Sequence, residues 1–338
     1  MSSEITQEGS IGSTSDVPEK SYGRALFSRF ARDYGIFAVL VVLVIFFIIA
    51  APDFGTINNL INILNHVSVV GIVSIGMTFV ILTKGIDLSV GSLLALTSLV
   101  GTIIAVNAHK SILLAAMAFV LALLVGAFGG AINGALISSG YVSPLIATLA
   151  TLTAYRGIAV WWHVNPVYGL PDWYRYLGNR NFLSVPLGVY VFGIIIIISS
   201  FVLNRTRFGR QIYAVGGNEH ASRASGIGVA GVQFAVYVVS GACVGLAALI
   251  ETGRIGAGQS YAGDGLELQA IAAVVVGGVS LFGGRGKISN TVIGVLVLGV
   301  LFNGLVLMNV PAPLQNVIIG FIIASAAAAD VLLRRRNL

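Results

Sequence analysis

Charge is what this chain has least of. Of its 338 residues only 9% are charged, 19 basic and 13 acidic, against 57% hydrophobic, and the mean hydropathy is +0.94. A soluble domain needs a far more polar surface than that supplies. Long polar segments are also missing. Beyond residues 1–33, apolar runs recur along nearly the whole chain, each near the ~20 residues that span a bilayer as a helix. The runs do not alternate in polarity, which excludes a membrane barrel. The class expected is an all-α polytopic membrane protein without a soluble domain.

Other shortages narrow the chemistry. The single cysteine, Cys243, lies in an apolar run with no intrachain partner, so disulfides play no part and it reads as a small core residue. His66, His109, His163 and His220 are scattered without metal-ligand spacing, so no metal site is expected. No Ser/His/Asp set or carboxylate pair is visible, and Glu251, Asp264 and Glu267 read as loop charges. Enzyme chemistry is therefore not expected of this chain. The net charge of +6 raises nucleic acid as a partner, but the basic residues are spread among loops and ends, which argues against it.

Glycine, by contrast, is abundant at 42 residues. Gly126, Gly130 and Gly134 recur every four residues, as do Gly241 and Gly245. Small residues at that spacing let helix backbones approach closely in lipid.

Ten spans are expected, at 34–51, 59–82, 90–107, 111–136, 144–163, 187–203, 230–250, 266–282, 288–308 and 314–333. They divide the chain into a disordered tail 1–33, a transmembrane domain 34–333 and a basic end 334–338. With both termini cytoplasmic, inside segments hold 14 of the basic residues, and outside segments hold Lys110, Arg175, Arg180 and Arg254, with Arg156 in a span. The positive-inside rule selects that orientation.

The apolar sequence is broken at Thr83-Lys84-Gly85-Ile86-Asp87-Leu88-Ser89-Val90-Gly91. An ionisable pair there is costly unless it faces protein, water or the interface. The glycines let the backbone leave helical geometry, and interrupted segments are a common way to build a transport site. A transport protein is expected, with this stretch near its pathway. The candidates to line it are Asp87, Ser89, Gly85 and Gly91 with the span residues Asn62, Asn65, Thr78, Asn133, Thr148, Thr151, Tyr155, Arg156, Asn303 and Gln315. Neutral Asn, Thr and Tyr suit a polyhydroxy solute, although helix–helix hydrogen bonding employs the same residues. Asp87 also has a structural reading, accepting backbone N–H groups of the broken segment.

Two connections are long. The outer loop 164–186 carries Tyr168, Trp173, Tyr174 and Tyr176, which fit a partner or the bilayer interface. In the inner loop 204–229, Asn218 is placed to cap a short helix Glu219–Ala224 that Gly226 ends. Such a helix suits docking into another protein's groove. The run Gly277–Lys287 lacks the GxxxxGK[ST] spacing and a preceding strand, so it reads as a tight turn, not a phosphate loop.

These motifs resemble the membrane subunit of bacterial ABC importers of the ribose/xylose/arabinose/galactose class. Gly85-Ile86-Asp87-Leu88-Ser89-Val90-Gly91 is similar to that family's GGIDLSVG signature, and Ser143-Pro144-Leu145-Ile146-Ala147-Thr148-Leu149 to its P-F-I-A-T-L segment. Thr206–Arg210, Gly217-Asn218-Glu219 and Ser225-Gly226-Ile227 resemble its ATPase-coupling loop; Glu267-Leu268, Gly277-Gly278, Gly283–Gly286 and Asn303-Gly304 resemble its C-terminal third. Lys84 stands where the family usually has Gly, and Ser222 where it has Ala. The resemblance implies a permease of the bacterial inner membrane that dimerises with itself or a second permease chain. It implies a monosaccharide delivered by a periplasmic binding protein, and ATP bound by a partner ATPase, this chain holding no cofactor. Residues 216–228, with Arg210, Gly217, Asn218, Glu219, Ala221, Arg223 and Gly226, would transmit the ATPase's closure. The competing readings are autoinducer-2 or another small polar solute as cargo, a secondary transporter with Asp87 as its ion site, and a passive channel.

Overall fold

The computed structural model describes the backbone of residues 19–107 and 112–335, and the side chains of 35–107 and 116–332. Residues 1–18 of the expected tail, Lys110, His109 and residues 336–338 of the basic end lie outside the described residues. The described chain is a bundle of helices: α1 Glu19–Ala50, α2 Ile57–Leu82, α3 Val90–Asn107, α4 Ile112–Ser138, α5 Pro144–Trp162, α6 Asp172–Asn179, α7 Leu187–Arg205, α8 Arg207–Gly217, α9 Glu219–Ala224, α10 Val229–Ile255, α11 Leu266–Val276, α12 Ile288–Leu307 and α13 Ala312–Arg335. A two-residue hairpin, β1 Asn181–Phe182 and β2 Val185–Pro186, follows α6.

Eight of these helices are long and apolar enough to cross a membrane, and Gly35–Ala50 and α11 are shorter apolar helices. Together they correspond to the ten expected spans, with three differences. First, α1 begins at Glu19, well before residue 34. Pro18 and Pro52 bracket it and no proline lies between them, so nothing stops the helix from extending into the basic stretch. Second, α11 ends at Val276 and not at 282. The glycines that follow adopt left-handed backbone, Gly278 at φ 88°, Gly283 at 74° and Gly284 at 70°, which a helix cannot continue through. At 11 residues it is ~16 Å long, about half the hydrocarbon thickness. Third, α10 runs on to Ile255, where Gly256 caps it at φ 78°.

The other half of the α11 span is not helical. From Gly256 the chain returns along α3: Gly258 packs on Thr102 and the Ser98 carbonyl, and Gly263 on the Gly91 carbonyl. That connection and α11 lie beside the α2–α3 interruption, Gly263 against Gly91.

Helices α2 and α10 lie at the centre, packed on each other, and α10 also crosses α4, α3 and α6. The α4–α10 crossing is the glycine contact expected from the four-residue spacing. A Cβ on Gly126 would strike the Gly241 carbonyl, and one on Gly130 the Tyr237 carbonyl. Helix α13 and the outer face of α7 remain apolar and exposed, with Phe321 and Ile197 uncovered, as lipid-facing surfaces do.

The aromatic loop 164–186 is part of the fold. Tyr174, expected at a partner or the bilayer interface, is fully buried between α3, α4 and α10 with Phe119 and Leu249. Gly178 lets α6 lie against the backbone of Ile250 and Arg254. Tyr168 and Tyr176 stay exposed. Val167 and Gly258 exchange backbone hydrogen bonds of 2.9 and 3.0 Å, which ties this loop to the connection after α10.

Since the α4–α10 contact is backbone on backbone, no rotamer change relieves an added side chain. Gly241→Val is expected to cost at least about 1–3 kcal/mol and to lower the melting temperature of the purified chain. Gly231→Ala in the same helix, facing open space, is expected to leave it unchanged or slightly higher; equal losses from both would overturn this account of the crossing.

Candidate functional site

Residues 83–89 leave helical geometry between α2 and α3, so their polar groups need partners from elsewhere. Several come from distant elements. The Leu82 carbonyl accepts the Gly284 N–H at 2.9 Å. The Ile86 carbonyl accepts the Thr148 hydroxyl from α5 and the Tyr237 hydroxyl from α10, both at 3.2 Å.

Asp87 sits at the middle of this set with no exposed surface. Its Oδ1 accepts the Ser89 N–H at 3.1 Å, the Ser89 hydroxyl at 2.7 Å and the Asn133 amide at 3.4 Å. Its Oδ2 accepts the Ser240 hydroxyl at 3.1 Å. Asn133 also donates to Ser89 Oγ at 2.8 Å and accepts the Thr151 hydroxyl at 2.6 Å. One carboxyl group thus joins the start of α3 to α4 and α10, and through Asn133 to α5. Among the described residues it has no ion-pair partner.

The other pathway candidates separate by burial. Thr78 is buried and shares a 2.7 Å hydrogen bond with Thr291, clamping α2 to α12. Tyr155 donates to the Gly129 carbonyl at 2.9 Å. Asn303 and Asn59 exchange two 2.8 Å amide bonds. Gly85 faces the Tyr237 hydroxyl and Gly91 the Gly263 carbonyl and Glu267, places where a Cβ does not fit. Asn62 alone among the candidates is exposed. It belongs to a polar stripe on α2 made by exposed Asn58 and half-buried Asn65 and His66, positions at i, i+4, i+7 and i+8 on one face. Arg156 donates to the Ser260 and Ala262 carbonyls at 2.6 and 3.2 Å and lies 4.0 Å from Asp264, so it fastens α5 to the connection after α10.

At the opposite end from α6, the 204–229 connection folds as two helices. Thr206 caps α8, its Oγ1 accepting the Gly209 N–H at 3.1 Å. Ile212 and Val215 are buried while Arg210 points outward. Tyr213 donates to the Gly286 carbonyl at 2.8 Å; burial pushes its phenol above its ordinary range, so it remains a donor at neutral pH. Asn218 caps α9, its Oδ1 accepting the Ala221 N–H at 3.0 Å, and Gly226 follows at φ 80°. This is the capped helix expected over Glu219–Ala224. Ser222 is buried and returns its hydroxyl to the Asn218 carbonyl at 2.8 Å. Glu219 and Arg223 pair at 2.8 Å on the exposed side, a bond worth only ~0.5 kcal/mol. Gly217, Asn218, Ala221, Arg223 and Gly226 are exposed, so α9 presents a free face.

The two ends of this geometry meet. Gly216, at the end of α8, lies so close to the Leu82 carbonyl and the Gly284 amide that a Cβ would collide with both. Leu82 opens the break, and Gly284 belongs to the turn before α12. Three backbones therefore meet without a side chain between them, linking the 204–229 connection directly to the broken segment.

Sequence reasoning missed Ser240, Tyr237 and Thr291. Ser240 and Tyr237 flank the glycine face of α10, one and four residues before Gly241, and a polar residue beside a close helix contact is the available signal. It also missed α8, although Phe208, Ile212 and Val215 have helical spacing.

Comparison with known proteins gives matches over most of the chain. Residues 59–327 match the family described as branched-chain amino acid transport system / permease component. The ribose import permease protein of Escherichia coli K12 is 42% identical, covering 91% of this chain and 97% of its own length. The D-allose transport system permease protein of the same organism is 39% identical over 91% and 94%. Its L-arabinose transport system permease protein is 35% identical over 94% and 95%. No solved structure matches.

Substitutions at two positions test the break. Asp87→Ala leaves the Ser89, Asn133 and Ser240 donors facing a void, at ~1–3 kcal/mol for each buried group left unpaired, whereas Asp87→Asn keeps one acceptor and is milder; melting temperatures of both variants check the order. Lys84 holds a left-handed backbone at φ 66°, so Lys84→Gly is expected to stabilise the fold by about 1 kcal/mol. A lower melting point for that variant would contradict the strain.

Proposed function

The chain belongs to the branched-chain amino acid transport system / permease component family, and from that membership we propose that it is the permease subunit of an ATP-driven monosaccharide importer. It is a multi-pass protein of the bacterial inner membrane, kin to sugar import permeases. The observation that carries the proposal is the exposed capped helix α9, joined through α8 and Gly216 to the broken segment. A transporter working alone has no need of such a helix. An ATPase on that face has a surface to push and, through α8, a direct backbone contact with the interrupted spans.

The α8–α9 end then faces the cytoplasm, as the basic residues favour. Arg210, Gly217, Asn218, Glu219, Ala221, Arg223 and Gly226 receive the ATPase, which binds the ATP. The Asp87 network positions the break and does not bind solute. The solute path follows the stripe of exposed Asn58 and Asn62 and half-buried Asn65 and His66 on α2, completed by a second permease chain, with a periplasmic binding protein loading it from the α6 end. Polar side chains exposed on a membrane helix are costly against lipid and suited to a hydrated path. The family's description names branched-chain amino acids. Three of the four stripe residues are amides, which suit the hydroxyls of a sugar better than the paired charges of an amino acid.

Transport proceeds by alternating access: the two facing states differ in affinity for the solute, and the ATPases shift their populations. Reconstituted vesicles test this. Uptake of a labelled monosaccharide is expected only with ATP, the ATPase and the binding protein together, and to fall by ~10-fold or more when Glu219 and Arg223 are both changed to Ala. Uptake by the chain alone that collapses with the proton gradient would replace this reading with an ion-coupled one.

A further inference from the structure

A cavity of about 480 Å³ lies beside the meeting of the three backbones. Its walls come from the break, from the end of α8 at Gly216 and Gly217, from the turn before α12, and from Asp330 on α13. Two cations line it, Lys84 and Arg285. Among the described residues neither has an ion-pair partner. Asp330 also lines the wall, its Oδ2 accepting the Ser280 hydroxyl at 3.0 Å and the Leu281 N–H at 3.1 Å, and it is in ion-pair contact with neither cation.

Scattered loop cations are ordinary at such an end. These two differ in how they are held. Lys84 keeps a left-handed backbone that favours glycine, and its stem lies against Gly283, itself left-handed. A strained residue that persists is a pointer to use. The size is that of a small-molecule pocket, the glycines let a ligand approach the backbone, and an ammonium with a guanidinium is the usual pairing for phosphate. With two cations against one hydrogen-bonded carboxylate the wall keeps a net positive charge, which favours a phosphomonoester.

We propose that this cavity binds a phosphate group, from a soluble phosphomonoester or an anionic lipid headgroup. Bound there, the group bridges the break to the turn that Gly216 touches and resists their relative movement, so occupancy slows transport. For a soluble ligand the class is the phosphorylated form of an imported sugar, made by a phosphoryl-transfer reaction that consumes what the permease delivers. Only this last step and the cytoplasmic placement rest on the proposed function; the binding itself does not.

The test uses the purified full chain without ATPase or transport solute, so failure of uptake and failure of binding are separate results. In nanodiscs of zwitterionic lipid, inorganic phosphate and ribose 5-phosphate are titrated by calorimetry. In the second arm, native mass spectrometry follows retention of phosphatidic acid against phosphatidylcholine. Saturable binding in either arm is expected, weakened about tenfold by Lys84→Gly and by Arg285→Gln. Lys84→Gly removes the charge while relieving the backbone, so its loss of binding with an undiminished melting point cannot be ascribed to misfolding. The first arm alone assigns a soluble ligand and the second alone a lipid. Binding in neither arm, or binding that both substitutions leave intact, overturns the proposal.

Discussion

A buried carboxyl group holds the interrupted part of this protein together. Breaking a helix within a membrane frees backbone groups that lipid cannot satisfy, and the chain answers with protein donors from three other helices. Asp87 accepts two bonds from Ser89 within the break and one each from Asn133 on α4 and Ser240 on α10, while Thr148 on α5 and Tyr237 on α10 share the Ile86 carbonyl. Helices α4, α5 and α10 are thereby referenced to one point. The position of α3 follows from that point, and so does the connection that lies along α3 between Gly258 and Gly263.

Glycine does the complementary work. Where Asp87 joins elements by adding atoms, Gly126, Gly130 and Gly241 join α4 to α10 by omitting them, and Gly216 does so for α8. Lipid offers little hydrophobic drive for helices to associate, so close van der Waals approach carries much of the cohesion. The high glycine content is therefore a packing device in the spans. In the 277–287 turn it serves conformation, since Gly278, Gly283 and Gly284 all have positive φ.

What the sequence disclosed followed physical scale. Spans, the α9 cap and the α4–α10 contact were legible, because hydropathy over ~20 residues and four-residue spacing are local signals. Asp87 was identifiable as special from its charge, and its alternative structural reading describes its geometry. The division of polar span residues between internal bonding and exposure was not legible: Asn62 and Asn133 look alike until their neighbours are known. Nor was the burial of Tyr174, since an aromatic in an outer loop fits the bilayer interface equally well. The shortness of α11 was hidden by Val279, Leu281 and Phe282, which extend the apolar run past the glycine that ends the helix.

Helix α10 is 27 residues long, ~40 Å without a proline or a break. Near one end Gly253 lies against α6; at its middle Ser240 holds Asp87; its other end follows α9 after four residues. A rod of that kind has no joint in which to lose a displacement. Pressure on the aromatic cap at one membrane face and pressure on the short helix at the other would move the same rigid body, and the carboxyl group between them is where the two would be compared.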